Sequence, residues 1–294
     1  MPPTLLLHFD DETANAQRIA AAAGMASTCI GRHRFPDGEL KLRLPERLPA
    51  HVVLLRSLDQ PNEKLVELLL TAQTARSLGA TRLTLIAPYL AYMRQDMAFT
   101  PGEAVSQRIV GRFLAGLFDA LITVDPHLHR VATLQEAVPV PRAVVLSGAP
   151  LLADLVARQR PDALLVGPDE ESAQWIAQAA RRHGFDQAVC RKVRHGDRHV
   201  EIELPAADVR GRAVVLLDDV ASSGHTLAQA ARGLLAAGAA SVDVAVTHAL
   251  FAGDAGQLLW DAGIRNVWST DCITHPSNAV CMAPVLAAAL TETT

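Results

Sequence analysis

Val214-Val215-Leu216-Leu217-Asp218-Asp219-Val220-Ala221-Ser222-Ser223-Gly224-His225-Thr226 is the stretch on which the reading of this chain turns. Four apolar residues, Val214 to Leu217, have the length and branching of a buried strand. Two carboxylates, Asp218 and Asp219, follow at its end. The small residues Ala221 to Gly224 come next, and Thr226 opens a helical pattern that runs to about Gly238. A tight passage from strand to helix aims backbone N–H groups at one point, and the helix dipole adds positive potential there. Ser222, Ser223 and Thr226 add hydroxyl donors, so the stretch reads as a phosphate cradle. Acids beside an anion site fit a ligand that also carries hydroxyls, because carboxylates accept hydrogen bonds from a sugar diol. The plainer alternative is a βα turn with an acidic edge and a Ser-type helix cap. The loop lacks the Gly-x-x-x-x-Gly-Lys-Ser/Thr spacing of a Walker motif.

Strand, paired acids, small loop, threonine and helix together resemble the phosphoribosyl diphosphate loop of the type I phosphoribosyltransferase fold. The rest of the chain suits such a fold. Short apolar runs near 52–56, 82–87, 120–124, 163–167, 213–217, 242–249 and 265–268 alternate with helical patterns near 13–24, 61–79, 104–118, 149–159, 171–184, 226–238 and 255–262. Gly24, Gly79, Gly184, Gly238 and Gly263 sit where helices should end. This alternation predicts α/β architecture with mostly parallel sheets flanked by helices. The halves echo one another: residues 83–89 resemble 163–169, and 120–125 resemble 214–219. Two similar domains are expected, over 1–143 and 144–282, with 283–294 packing back on the first and Pro139 to Pro150 as the junction.

Composition excludes several classes. Of 294 residues, half are apolar, so a large core is available, and the net charge of −4 argues against a nucleic-acid partner. The four cysteines, Cys29, Cys190, Cys272 and Cys281, are scattered without a C-x-x-C and suit a reduced, cytoplasmic protein. No start resembling a signal peptide and no run of membrane-spanning length occurs, so no membrane partner is expected.

Other motifs lie near predicted strand ends, where ligands of parallel sheets bind. In Phe35-Pro36-Asp37-Gly38-Glu39, Phe35 can stack on a base while an acid accepts from an amino group. The same residues also suit a surface turn with Phe35 tucked into the core. In Arg94-Gln95-Asp96, Arg94 offers a planar fork for phosphate; a solvated loop is the alternative. Asp125 and His127 occupy alternate positions, with His129 beyond them, and Asp169 is expected to end the matching strand of the second half. One histidine with carboxylates suits Mg²⁺ held partly by water and phosphate oxygens, whereas zinc would want more His or Cys. Glu170 and Glu171 read as acids favoured by a helix start. Lys192 and Arg194 alternate within the most basic run, Arg191 to Arg198. They suit either a solvated hairpin or a cationic flap that brings charge to a migrating phosphoryl group.

Taken in order, these motifs resemble the ribose-phosphate diphosphokinases (phosphoribosyl diphosphate synthetases) over nearly the whole chain. Thr247-His248-Ala249-Leu250-Phe251 and Ser269-Thr270-Asp271 extend the likeness. Met97 to Glu103, Ser222, and Glu170 to Trp175 depart from the best-known subgroup and look like the shorter, archaeal-type one. The resemblance implies transfer of a diphosphoryl group from Mg-ATP to ribose 5-phosphate. It assigns Phe35, Asp37, Gly38, Glu39, Arg94, Gln95 and Asp96 to ATP, and Asp218, Asp219, Ser222, Ser223, Gly224, His225 and Thr226 to ribose 5-phosphate. His127, Asp169 and Asp125 would serve the metal, and Lys192 and Arg194 catalysis. It further implies a cytoplasmic homo-oligomer with a shared active site. A base phosphoribosyltransferase or a non-catalytic regulatory relative is the rival reading.

Overall fold

The computed structural model describes residues 4–128, 130–195 and 199–293; for 193–195 and 199–201 only the backbone is described. The chain forms two compact units, 1–146 with 282–294, and 147–281.

The first unit runs β1 (Thr4–His8), α1 (Thr13–Ala23), β2 (Ala26–Cys29), β3 (Gly31–Arg34), β4 (Leu40–Arg43), β5 (His51–Leu55), α2 (Pro61–Ser77), β6 (Arg82–Ala87), α3 (Ser106–Ala115), β7 (Ala120–Val124), α4 (Leu134–Ala137) and β8 (Arg142–Leu146). Its six-stranded sheet has the order β2-β1-β5-β6-β7-β8, with every pairing parallel. The second unit runs α5 (Ala149–Gln159), β9 (Leu164–Gly167), α6 (Ala173–His183), β10 (Gln187–Val189), β11 (Arg191–His195), β12 (His199–Glu203), β13 (Ala213–Ala221), α7 (His225–Ala236), β14 (Ser241–Ala249), α8 (Ala255–Asp261), β15 (Ile264–Thr270) and β16 (Asn278–Val280). Its sheet has the order β10-β9-β13-β14-β15-β16, also parallel. The last helix, α9 (Ala283–Ala289), returns to the first unit and packs on α1, as α5 packs on α6. The interval expected as the junction thus contains an edge strand, β8.

Both central strands, β5 and the apolar part of β13, are buried on both faces, which is why they read as continuous Val/Leu runs rather than alternating ones. The two sheets share one topology, which fixes the true internal register. β1 corresponds to β9, β5 to β13, β6 to β14 and β7 to β15. The sequence echo pairing 83–89 with 163–169 and 120–125 with 214–219 is therefore out of register. Asp125 and Asp169 do not end equivalent strands. A short apolar run closed by Pro or Asp marks any buried parallel strand, so such likeness identifies the element type and not its place.

In each half a two-stranded antiparallel hairpin lies between the second and third strands, β3–β4 in one and β11–β12 in the other. Neither joins the main sheet.

Candidate active site

The β3–β4 hairpin carries the Phe35–Glu39 turn. Phe35 N donates to Glu39 O at 2.8 Å, Gly38 N to Phe35 O at 2.9 Å, and Glu39 N to Asp37 Oδ1 at 3.2 Å. The turn is thus held by its own bonds. Phe35 is 39% exposed and is not tucked into the core. His33 meets its ring edge-on at a centroid distance of 4.9 Å, and Lys41 Nζ lies 5.8 Å from the ring centre. An exposed aromatic flanked by a cation, with two acids on the same turn, can stack on a base and accept from its amino group.

The Tyr92–Asp96 segment follows β6. Tyr92 has a left-handed backbone (φ 65°), and its hydroxyl donates to Asn62 on α2. Arg94 is exposed. The Gln95 amide donates to Met97 O at 2.9 Å, so it supports the 97–103 segment, which Glu103 closes by accepting from Phe99 N at 2.7 Å and Thr100 N at 3.2 Å. Asp96 is set apart from its neighbours. It is buried, and its Oδ1 accepts from Arg130 Nη1 at 2.7 Å. At the end of β7, Asp125 is buried with φ 36°, and its N–H donates to Leu146 O at 2.9 Å. His127 is half-buried two residues on. His129 lies outside the described residues.

In the second unit three carboxylates gather at the ends of β9 and β13. Asp169 is buried and starts a short 3-10 turn, its Oδ1 accepting from Glu171 N at 3.1 Å. Its carbonyl accepts from Ser172 Oγ at 2.5 Å. Ser172 fits there because residue 167 is glycine: a Cβ at Gly167 would come within 2.1 Å of Ser172 Oγ. Lys192 Nζ, on β11, stands 3.7 Å from Asp169 Oδ2. The side chain of Arg194, on the same strand, lies outside the described residues. Cys190, beside the cluster, has its thiol pushed up to about 11 by burial and by the Asp169 charge.

Sequence ended the central strand at Leu217; β13 instead runs to Ala221, carrying both acids within it. Asp219 is buried and Asp218 half-buried. Burial, together with the negative charge of Asp219 and Asp169, holds the Asp218 carboxyl well above the usual carboxylate range. Such crowding favours a proton, a cation or a hydroxyl donor at this spot.

The loop beyond is fixed by backbone. Leu250 N and Phe251 N donate to Ala221 O at 3.1 and 2.9 Å, and Ala252 N to Ser222 O at 3.0 Å, so the Thr247–Phe251 segment buttresses it. Gly224 (φ 75°) precedes α7, which no side chain caps. The amides of the first helical turn have no partner within the helix and point toward the loop. Among the described residues, no group of three or more His, Cys, Asp or Glu is arranged to hold a metal by itself. No described helix is long and apolar enough to cross a membrane. Arg130, Ser172 and Gly167 carry no motif signal; only the fold reveals their contacts.

Two family models match the chain: the N-terminal domain of ribose phosphate pyrophosphokinase over residues 4–117, and the phosphoribosyl transferase domain over 144–283. A ribose-phosphate pyrophosphokinase from Methanopyrus kandleri is 37% identical over 276 residues, spanning 93% of this chain and 94% of the relative. The chain belongs to the ribose-phosphate pyrophosphokinase family of enzymes. Another member, from Halobacterium salinarum, is 32% identical over 97% of this chain and 100% of its own length. A crystal structure of phosphoribosylpyrophosphate synthetase from Mycobacterium smegmatis matches with a TM-score of 0.84 and 25% identity, covering 99% of this chain and 100% of that one. The expected fold, two type I phosphoribosyltransferase-like domains with mostly parallel sheets, is the observed one.

Proposed function

We propose that this chain transfers the diphosphoryl group of ATP to the C1 hydroxyl of ribose 5-phosphate, giving 5-phosphoribosyl 1-diphosphate and AMP. The observation that carries this reading is the presence, in one chain, of a sugar-phosphate cradle with adjoining acids and a separate exposed aromatic-acid turn suited to a base. A base phosphoribosyltransferase needs only the first. The Ser222–Thr226 amides and hydroxyls bind the 5-phosphate, and Asp218 and Asp219 accept from the ribose diol. Phe35 stacks on adenine, with Asp37, Gly38 and Glu39 reading its edge, while Arg94 and Gln95 serve the phosphates. Asp96, bonded to Arg130, is the further residue of this segment that the resemblance gives to ATP.

The C1 oxygen attacks the β-phosphorus, the bond from that phosphorus to the bridging oxygen of the α-phosphate breaks, and the hydroxyl proton is lost to solvent. Lys192 and Arg194 bring positive charge to the migrating group. The chemistry asks mainly for alignment and electrostatic stabilisation. The crowded carboxylates of the second unit suit a hard divalent cation. The resemblance gives His127, Asp125 and Asp169 to Mg²⁺, and the ion would neutralise charge on the transferring group. In this reading the protein is cytoplasmic, and the Phe35–Glu39 turn serves the site of a neighbouring copy.

Purified protein with ATP, Mg²⁺ and ribose 5-phosphate should yield AMP and phosphoribosyl diphosphate in equal amounts. ADP as product, or AMP that does not depend on the sugar, would refute the assignment. For the shared site, a Phe35→Ala/Glu39→Ala variant and a Lys192→Ala variant should be nearly inactive alone and recover part of the activity after subunit exchange. No recovery despite demonstrated exchange would place a whole site in each chain.

A further inference from the structure

The β3–β4 hairpin is absent from the main sheet, so backbone ladders do not fix its direction. Side chains do. Cross-strand pairing puts Arg32 opposite Leu42 and Arg34 opposite Leu40, so the two arginines share a face with two leucines, and Leu42 packs against the first unit's core. That face meets α2. Arg32 Nη1 donates to Glu67 Oε1 at 2.6 Å, and Arg34 Nη1 to Glu63 Oε1 at 3.0 Å, with a second bond between Arg34 Nη2 and Glu63 Oε2. The spacings match. Residues i and i+2 of a strand stand about 6.6 Å apart, and residues i and i+4 of a helix about 6 Å along its axis. Two arginines on a strand therefore meet two glutamates on a helix rung for rung.

The inner rung is the stronger anchor. Glu67 is buried and also takes Arg56 Nη2 at 2.5 Å, and Arg32 reaches on to Asp10 at 2.5 Å. The outer rung is solvent-exposed and adds direction more than energy. The opposite face of the hairpin carries His33 and Lys41, which hold the Phe35 ring from outside.

We propose that Arg32 and Arg34, through Glu67 and Glu63, are positioning residues that aim the Phe35–Glu39 turn and thereby set affinity for the nucleotide. This rests on the nucleotide reading of that turn. None of the four residues touches substrate; they act by holding the hairpin in one orientation, which a recognition element needs to be preorganised.

Arg32→Gln should raise KM for Mg-ATP about tenfold, leaving kcat and KM for ribose 5-phosphate within about twofold. Its hairpin amides, those of Phe35 and Gly38 included, should exchange with deuterium about tenfold faster. The outer rung tests direction. Arg34→Glu and Glu63→Arg should each raise KM for Mg-ATP several-fold, and the two together should bring it back to within about twofold of the parent, because the pair is restored with its charges exchanged. Unchanged hairpin exchange and unchanged KM in Arg32→Gln would overturn the proposal, as would a double variant no better than its singles. The nucleotide reading fails separately. If hairpin exchange quickens in Arg32→Gln while the parent makes no AMP, or while KM for Mg-ATP stays constant, the clamp stands but the turn it aims does not read the nucleotide.

Discussion

At the same topological place, the two halves do opposite things with charge. In the second half the ends of β9 and β13 bring Asp169, Asp218 and Asp219 together, with Lys192 loosely beside them. In the first half the equivalent ends of β1 and β5 are filled by Arg56, only 1% exposed, whose guanidinium meets Asp11 at 2.8 Å, Glu12 at 3.0 Å and Glu67 at 2.5 Å and stacks on Phe9 at 4.7 Å. The helix starts differ in the same sense. Gly224 before α7 and Gln60 before α2 are both left-handed, yet only in the second half is the loop small-residue throughout. In the first, Lys64 closes it by donating to Ser57 O at 2.8 Å and Asp59 Oδ1 at 2.7 Å. The hairpins repeat the contrast: β3 is clamped by short ion pairs, whereas Lys192 and Arg191 of β11 stand 3.7 and 3.8 Å from Asp169 and Glu170. One fold was used twice, once around a buried arginine paired with acids and once around crowded acids. Crowded like charge at the end of a strand is the physical feature that separates the second half from the first.

The contrast breaks most directly at Glu67. Removing one partner of a buried ion cluster strands the others without solvent. Glu67→Ala should cost about 3–5 kcal/mol, a fall of roughly 6–20 °C in the thermal midpoint. A shift below about 2 °C, less than 1 kcal/mol on the same scale, would mean that the Arg56 cluster is not what completes the first half.

The loosely paired hairpin should respond in rate rather than stability. Lys192→Ala should lower kcat about 10²–10³-fold with little change in thermal midpoint, since its nearest acid is at 3.7 Å. An unchanged kcat would reduce β11–β12 to a solvated hairpin and make the two hairpins alike after all. The cradle comes next. Asp218→Asn or Thr226→Val should each raise KM for ribose 5-phosphate by about 1.5–3 kcal/mol, leaving KM for ATP in place. A rise confined to ATP would mean that the halves have been given each other's substrates.

How much of this was legible in the sequence follows from where the information lies. Long apolar runs gave β6 and β7 residue for residue, and the helix-ending glycines all have positive φ. The short main-sheet strands β1, β2, β8, β10 and β16 lie outside such runs. β2 is Ala-Ser-Thr-Cys, an edge strand with no apolar pattern, and β8 lies in a Pro-flanked interval that reads as a linker. The cradle was legible because its chemistry is local: strand, acids, loop and helix are contiguous. The Arg56 cluster was not, because Asp11, Arg56 and Glu67 are joined only by the crossing of β1, β5 and α2. Asp96 shows the same limit. The resemblance gives it to ATP beside Arg94 and Gln95, but its bond to Arg130 is made with a residue 34 positions away that no motif marks.

The smallest effect tests whether the first half is fully self-satisfied. Three acids surround Arg56, and the pairing is uneven. Glu12 accepts from Ser57 N at 2.7 Å and from Arg56, yet burial still pushes its carboxyl up to about 7. In the unfolded chain it would titrate near 4.5. Between those values the folded protein holds a proton that the unfolded chain has released, so Glu12 makes stability fall as pH rises through that window. The contribution is at most about 1.4 kcal/mol per pH unit. Glu12→Gln removes the titration and keeps both an acceptor for Ser57 N and the volume. Its thermal midpoint should therefore decline less steeply than the parent's from pH 4.5 to about 7, and the difference between the two curves isolates this group from other titrating carboxyls. Parallel curves would mean that Arg56 outweighs burial and Glu12 stays ionised throughout. The first half would then be as fully paired as its geometry suggests, and crowded acidity would belong to the second half alone.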